Sequence, residues 1–319
     1  MKLNIGLAAV LCLAIAMSLM AGRHWIAFDH WLAGDLQSLI VMGLRLPRAV
    51  AGALVGMALG IAGAAMQGYL RNPLADPGLF GVSSSAALGA VTSLFFGFAV
   101  QAWLLPVFAL GGAGAGMAIL AMLAGRSGSL ILFTLSGVIL ASLTGSLTSL
   151  MISLAPTPFA SSEIVTWLMG ALVDRSWEDV RLALPPALVG MALLLRAAPA
   201  LDALTLGETA AASLGVDMKR LQWLIVGGVG LTVGASVAIA GIIGFIGLMV
   251  PHLVRPLVDD RPSALLLPSA LAGAILVVAA DCLVRVLPSM SEMRLGIAMS
   301  SLGAPFFLVL LFRIRREVA

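Results

Sequence analysis

Arg71-Asn72-Pro73-Leu74-Ala75-Asp76-Pro77-Gly78 stands between two apolar runs, Ala49 to Tyr69 and Leu79 to Val100, and breaks them with charge, an amide and two prolines. Asn and Asp side chains bond to nearby backbone, and proline cannot continue a helix, so these residues mark a tight turn. Each flanking run is close to the roughly 20 apolar residues that cross a bilayer. The stretch therefore reads as the polar turn at which one membrane span ends and the next begins.

Composition extends that reading to the whole chain. Of 319 residues, 61% are hydrophobic and 10% charged, and the mean hydropathy is +1.10. So apolar a sequence cannot be enclosed in a soluble core, and an integral membrane protein is expected. The formal charge of +3 comes from arginines at loop positions, which suits anionic lipid headgroups. No basic run with interleaved aromatics suggests a nucleic-acid surface. Cys12 and Cys282 are isolated in apolar runs and read as packing residues. Met1-Lys2 followed by Leu3 to Met20 has the outline of a signal peptide, but no small-x-small site precedes Arg23. That run is taken as an uncleaved first span.

The length criterion yields ten spans: Leu3 to Ala21, Ala49 to Tyr69, Leu79 to Val100, Trp103 to Ala124, Leu130 to Leu154, Leu182 to Ala198, Trp223 to Ala240, a short one from Gly241 to Val254, Ala264 to Val286, and Leu295 to Phe312. All six tryptophans fall at or outside span ends, where the indole is stabilised at headgroup level. Charge decides whether Trp223 to Val250 is one span or two. With ten spans and a cytoplasmic N-terminus, eleven of the eighteen Lys and Arg lie inside; with nine spans only eight do, against the positive-inside rule. Gly56, Gly60 and Gly63 line one face of the second span, where small residues let helices approach closely. Val55-Gly56 to Gly63 also recurs as Val233-Gly234 to Gly241, in spans that run in opposite directions, as in an inverted repeat.

The longest hydrophilic segment, Leu201 to Gln222, is too polar to span and lies on the side assigned to the cytoplasm. It reads as two short helices. Gly207-Glu208 opens the first, Gly215 ends it in a left-handed cap, and Asp217 N-caps a second carrying Lys219 and Arg220. The chain carries no P-loop, because both lysines, Lys2 and Lys219, follow Met where that motif needs Gly-Lys. Asp281 is the one acid within a span, which weakens an ion-coupled secondary carrier, the alternative of a different class. His24, Asp29 and His30 on the first outer loop are read as solvated loop residues, with no metal, cofactor or catalytic residue expected.

Three blocks carry a family resemblance: Leu44-Arg45-Leu46-Pro47-Arg48 through Gln67-Gly68 and the turn to Leu79-Phe80-Gly81-Val82-Ser83-Ser84; Gly244-Phe245-Ile246-Gly247-Leu248-Met249-Val250-Pro251-His252; and Leu302-Gly303-Ala304-Pro305-Phe306-Phe307. From about Leu44 to the C-terminus the chain resembles the FecCD/vitamin B12 permease family, the membrane subunits that import ferric siderophores, haem or cobalamin. The resemblance implies an all-α integral membrane fold, a polytopic bundle of about ten transmembrane helices similar to the vitamin B12 permease. It further implies a single domain over 1–319, in the inner membrane, with both termini cytoplasmic. The implied partners are a second permease subunit, identical or paralogous, two ATP-binding subunits that hydrolyse the ATP, a periplasmic binding protein and membrane lipid.

Within that resemblance, Leu206, Gly207, Glu208, Thr209, Ala210, Ser213 and Gly215 in segment 201–222 correspond to a coupling helix that docks on the ATPase. Arg45, Arg48 and Arg285, expected on the outer face, correspond to residues that receive acidic groups of the binding protein. Arg71, Asn72, Pro73, Asp76, Pro77 and Gly78 form the signature turn. A ferric siderophore is the first substrate expectation, with haem and cobalamin open. One departure is Glu292-Met293-Arg294-Leu295-Gly296, where the family commonly reads Glu-Leu-Pro-Val-Gly; it adds an outward arginine.

Overall fold

A computed structural model describes residues 2–22, 24–101, 103–124, 130–287 and 292–318. The described residues form twelve α-helices: α1 (Lys2–Met20), α2 (Leu36–Leu70), α3 (Val82–Phe95), α4 (Leu104–Ala124), α5 (Leu130–Ser153), α6 (Pro158–Leu168), α7 (Trp177–Leu204), α8 (Glu208–Ser213), α9 (Met218–Ala240), α10 (Ile246–Val254), α11 (Pro262–Val286) and α12 (Leu295–Val318). Seven are long and apolar enough to cross a membrane: α1, α2, α4, α5, α7, α9 and α11. The apolar helices α3, α10 and α12 supply shorter segments, so the all-helical, multi-pass expectation holds.

Several boundaries differ from the sequence reading for local reasons. The third span is only the 14-residue helix α3, because Gly81 and Gly97 take positive φ at its two ends. The second span begins at Leu36, where Asp35 accepts the Ser38 N–H at 2.8 Å. A π-helical turn over Val41–Arg45 precedes Pro47, whose missing N–H breaks the regular ladder. The run Trp223 to Val254 divides, as the charge distribution required, but α10 is nine residues preceded by non-helical backbone over 241–244. Helix α6 went unread, being a short helix inside what composition marks as a loop. Trp167 on it is partly buried against Ala90, Ala109 and Ala238. Cys12 lies exposed on α1 and is not a packing residue.

α2 is the axis of the bundle: 89% of its most apolar window is buried, against 11% for the peripheral α1. Its contact with α11 is backbone to backbone. A Cβ on Gly56 would overlap the Gly273 carbonyl, one on Gly60 would overlap that of Ser269, and one on Gly273 would overlap that of Gly56. Without a hydrophobic drive between helices in lipid, such close approach supplies the dispersion that holds them together.

Candidate functional sites at the two ends of the bundle

At one end, α2 stops because Arg71 takes the left-handed conformation (φ 50°) and its N–H closes onto Gln67 and Gly68 carbonyls. The Asn72 side chain accepts the Leu74 N–H at 2.9 Å, and Asp76 accepts that of Gly78 at 2.7 Å, so polar side chains satisfy the turn. Pro77 packs on Gly247 and Gly63 lies against the Gly247 backbone. The buried Gln67 amide donates to the Gly247 and Leu248 carbonyls and accepts from Arg255 at 2.8 Å. Gly303 meets Phe245, which has φ +68°, and the His252 and Phe306 rings meet edge to face. Three blocks far apart in sequence thus interlock around the N-terminus of α10. Burial raises the Asp76 carboxyl above its ordinary range, with the Gly78 and Leu248 N–H groups opposing.

The polar segment lies at this same end. Gly207 (φ 100°) opens α8, Gly215 (φ 86°) ends it, and the Asp217 side chain accepts the Lys219 and Arg220 N–H groups, as the sequence requires. α8 buries Ala211 and leaves Thr209, Ser213 and two leucines outside, Leu206 at 67% and Leu214 at 65% exposure. Glu208 reaches Arg71 of the signature turn at 3.8 Å, and Ala210 is half-buried. Sequence reasoning missed a second tie: Asp202, near the end of α7, accepts the Ser263 N–H at 2.8 Å and its hydroxyl at 2.6 Å. The N-cap residue of α11, Arg261, makes no side-chain cap of its own. A carboxylate sixty-one positions earlier therefore caps that helix from across the fold.

At the opposite end, the three expected docking arginines converge, but not as free outward cations. Arg48 holds both carboxylate oxygens of Asp281 at 2.9–3.1 Å and Glu292 at 2.9 Å. Arg285, 7% exposed, sits 3.2 Å from Asp281 and donates to the Ala21 carbonyl and the Ser18 hydroxyl. Arg45 donates to the carbonyls of Leu19 and Met20 at 2.8 Å and His24 at 2.7 Å. Two guanidiniums thus satisfy the carbonyls at the C-terminus of α1, which carry partial negative charge. The expectation of exposed arginines is corrected: burying one requires paired charge and hydrogen bonds, and the neighbouring carboxylates and carbonyls supply both. Arg45, Arg48, Arg285 and Glu292, with Asp174 and Arg175, line a cleft of about 650 Å³. A neighbouring cleft of about 470 Å³ holds Glu163, Arg175 and the departing Arg294. On the loop above, His30 pairs with Asp35 at 2.8 Å.

Between the ends, α5 presents two different exposed arcs. Thr134, Val138, Ser142, Gly145, Ser149 and Ser153 follow the three- and four-residue spacing of one face, and Ile139, Leu143, Leu147 and Leu150 that of the next. From Ser142 onward the first is small and hydroxyl-bearing, with the exposed Ile131 and Leu135 at its start; the second suits lipid.

A family model described as the FecCD transport family matches residues 10–313. The uncharacterized ABC transporter permease protein YvrB of Bacillus subtilis is 42% identical over 283 residues, covering 87% of this chain and 80% of that protein. The cobalamin import system permease protein BtuC of Halobacterium salinarum is 41% identical, with 91% and 80% covered. The vitamin B12 import system permease protein BtuC of Citrobacter koseri is 37% identical, with 97% and 94% covered. Among solved structures, an inward-facing transporter assigned to the metal-chelate ABC type superposes with a TM-score of 0.90 at 33% identity, covering 98% of this chain and 99% of that one.

Proposed function

The chain belongs to the FecCD transport family, and from that premise we propose that it is the membrane permease of a binding-protein-dependent ABC importer that moves a preformed metal chelate inward on ATP hydrolysed by a partner. The observation that carries the mechanism is the opposition of two polar sites across the bundle: the segment 201–222, tied to α2 and α11, and the arginine cleft at the other end. The Asn72 end faces the cytoplasm, consistent with the basic residues it gathers. There Leu206, Gly207, Glu208, Thr209, Ala210, Ser213 and Gly215 seat on the ATP-binding partner, with Leu206 as an exposed apolar contact. At the far end an acidic group of the binding protein enters the 650 Å³ cleft, whose lining carries four arginines, Arg45, Arg48, Arg175 and Arg285, against two carboxylates, Asp174 and Glu292.

A second permease subunit covers the small hydroxyl-bearing arc of α5 and completes the pathway. That arc carries no ionisable group, which suits a bulky chelate whose metal charge is already enclosed. The names of the two BtuC relatives support cobalamin; the sequence motifs alone placed a ferric siderophore first. Asp281, held by two guanidiniums, is poorly placed to bind a coupling ion, which counts against a secondary carrier. Uptake into proteoliposomes tests the proposal, with radiolabelled cobalamin and a radiolabelled ferric siderophore supplied separately. Uptake is expected only with ATP, the ATP-binding partner and the binding protein together. Accumulation by the chain alone on an ion gradient would overturn it, and the label taken up identifies the chelate.

A further inference from the structure

A groove of about 640 Å³ runs between the end of α7 and the start of α9, lined by Arg196, Pro199, Ala200, Leu214, Arg220 and Leu224 among others. We infer that it is a binding site for the headgroup of an anionic phospholipid, with Arg196 and Arg220 as its two phosphate donors. Its depth is set by α7. Trp177 at the other end of that helix donates to the Met42 carbonyl near the arginine cleft. Nineteen residues of α-helix from there to Arg196 span roughly 30 Å, the thickness of the hydrocarbon layer. Arg196 therefore stands at the border between acyl chains and headgroups, on the side assigned to the cytoplasm.

The face of α7 that leads to Arg196 is apolar and outward: Leu184, Leu188, Val189 and Leu195 are all exposed. Trp223, beside the groove on α9, is 64% exposed, as an indole at headgroup depth is. Both arginines are exposed, and neither makes an ion pair among the described residues. The one acid in the lining, Asp217, accepts the Lys219 and Arg220 N–H groups through one carboxylate oxygen at the start of α9. Two unpaired guanidiniums over an apolar floor match a phosphodiester with acyl chains lying along α7, since basic pockets between spans on the cytoplasmic side select anionic headgroups. Arg181 supplies the contrast. It lies exposed on the same helix near its other end and lines none of the clefts described above, so it represents an arginine that only extends its stem along the bilayer edge.

Native mass spectrometry of the full chain tests this, with phosphatidylglycerol and phosphatidylcholine offered in equal amounts. Wild type should retain phosphatidylglycerol over phosphatidylcholine by about tenfold, and Arg196→Gln with Arg220→Gln should lose that preference, while Arg181→Gln keeps it. Thermal unfolding of each variant without added lipid verifies that the substitutions leave the fold intact. An unchanged preference in the double variant, or an equal loss in Arg181→Gln, would overturn the site. Displacement of the lipid by millimolar inorganic phosphate would show a simple anion pocket instead. Release of the lipid on adding the ATP-binding partner would give the groove to that protein.

Discussion

Asp76 carries a conflict that a titration exposes. Its carboxylate caps Gly78, yet burial raises its pKa, so the folded state holds the proton more readily than the unfolded chain does. For a raised carboxyl the sign is fixed: the ionised form costs stability at neutral pH, and that cost disappears as pH falls through the folded pKa. Asp76→Asn keeps an oxygen to accept the Gly78 N–H and is neutral throughout. It should melt at or above the wild-type temperature at neutral pH, with the gap closing as the pH is lowered. Asp76→Ala loses the cap as well and should cost about 1 kcal/mol. Thermal unfolding followed by helical circular dichroism reads both, and a gap that widens on acidification would contradict the assignment. The arginines teach a related lesson: Arg48 pairs with Asp281 and Glu292, 233 and 244 positions away, and no local pattern announces such partners. Sequence showed which arginines gather at that end but not that the fold consumes most of their hydrogen-bonding capacity.

Helix contacts rest on glycines whose necessity is unequal. A Cβ on Gly56 would overlap the Gly273 carbonyl, whereas one on Gly111 in α4 meets nothing within 4 Å. Gly56→Val should force α2 from α11 and destabilise by about 2–3 kcal/mol or more, since backbone cannot yield as a flexible side chain does. Gly111→Ala should be neutral or stabilise by up to about 1 kcal/mol through helix propensity. Detergent-resistance assays on the two variants separate these outcomes, and equal melting temperatures would deny the close contact. Long spans were legible because each carries its own hydropathy, and the signature turn because Asn72, Asp76 and the prolines act within a few residues. α6 was not, having 11 residues and little to distinguish them from a loop. The Asp202 cap on Ser263 was illegible for the same reason as the arginine pairs, because its two halves meet only in the folded bundle.

Across the whole molecule, the coupling proposal separates stability from work. The Arg71–Glu208 pair is 3.8 Å long with both side chains 41% exposed, so it contributes at most about 1 kcal/mol. Glu208→Lys should therefore leave the melting temperature nearly unchanged while abolishing the stimulation of ATP hydrolysis by loaded binding protein. Restoring the pair in reverse, with Arg71→Glu added, should not rescue stimulation, because the lost contact is with the ATP-binding partner. Full rescue would show that Glu208 acts only inside this chain. The trans-capped helix α11 has a larger consequence. Its 25 residues form a rod of about 37 Å, fixed at one end by Asp202 beside the coupling segment and at the other by Asp281 among the arginines. As a lever arm pivoted at Ser263, with about 27 Å from there to Asp281, it converts a tilt of about 6° into a sweep of roughly 3 Å at Asp281. That stroke matches the length of the ion pairs it carries, so under the coupling proposal a push delivered at segment 201–222 would arrive at the arginine cleft as the breaking or remaking of a lock.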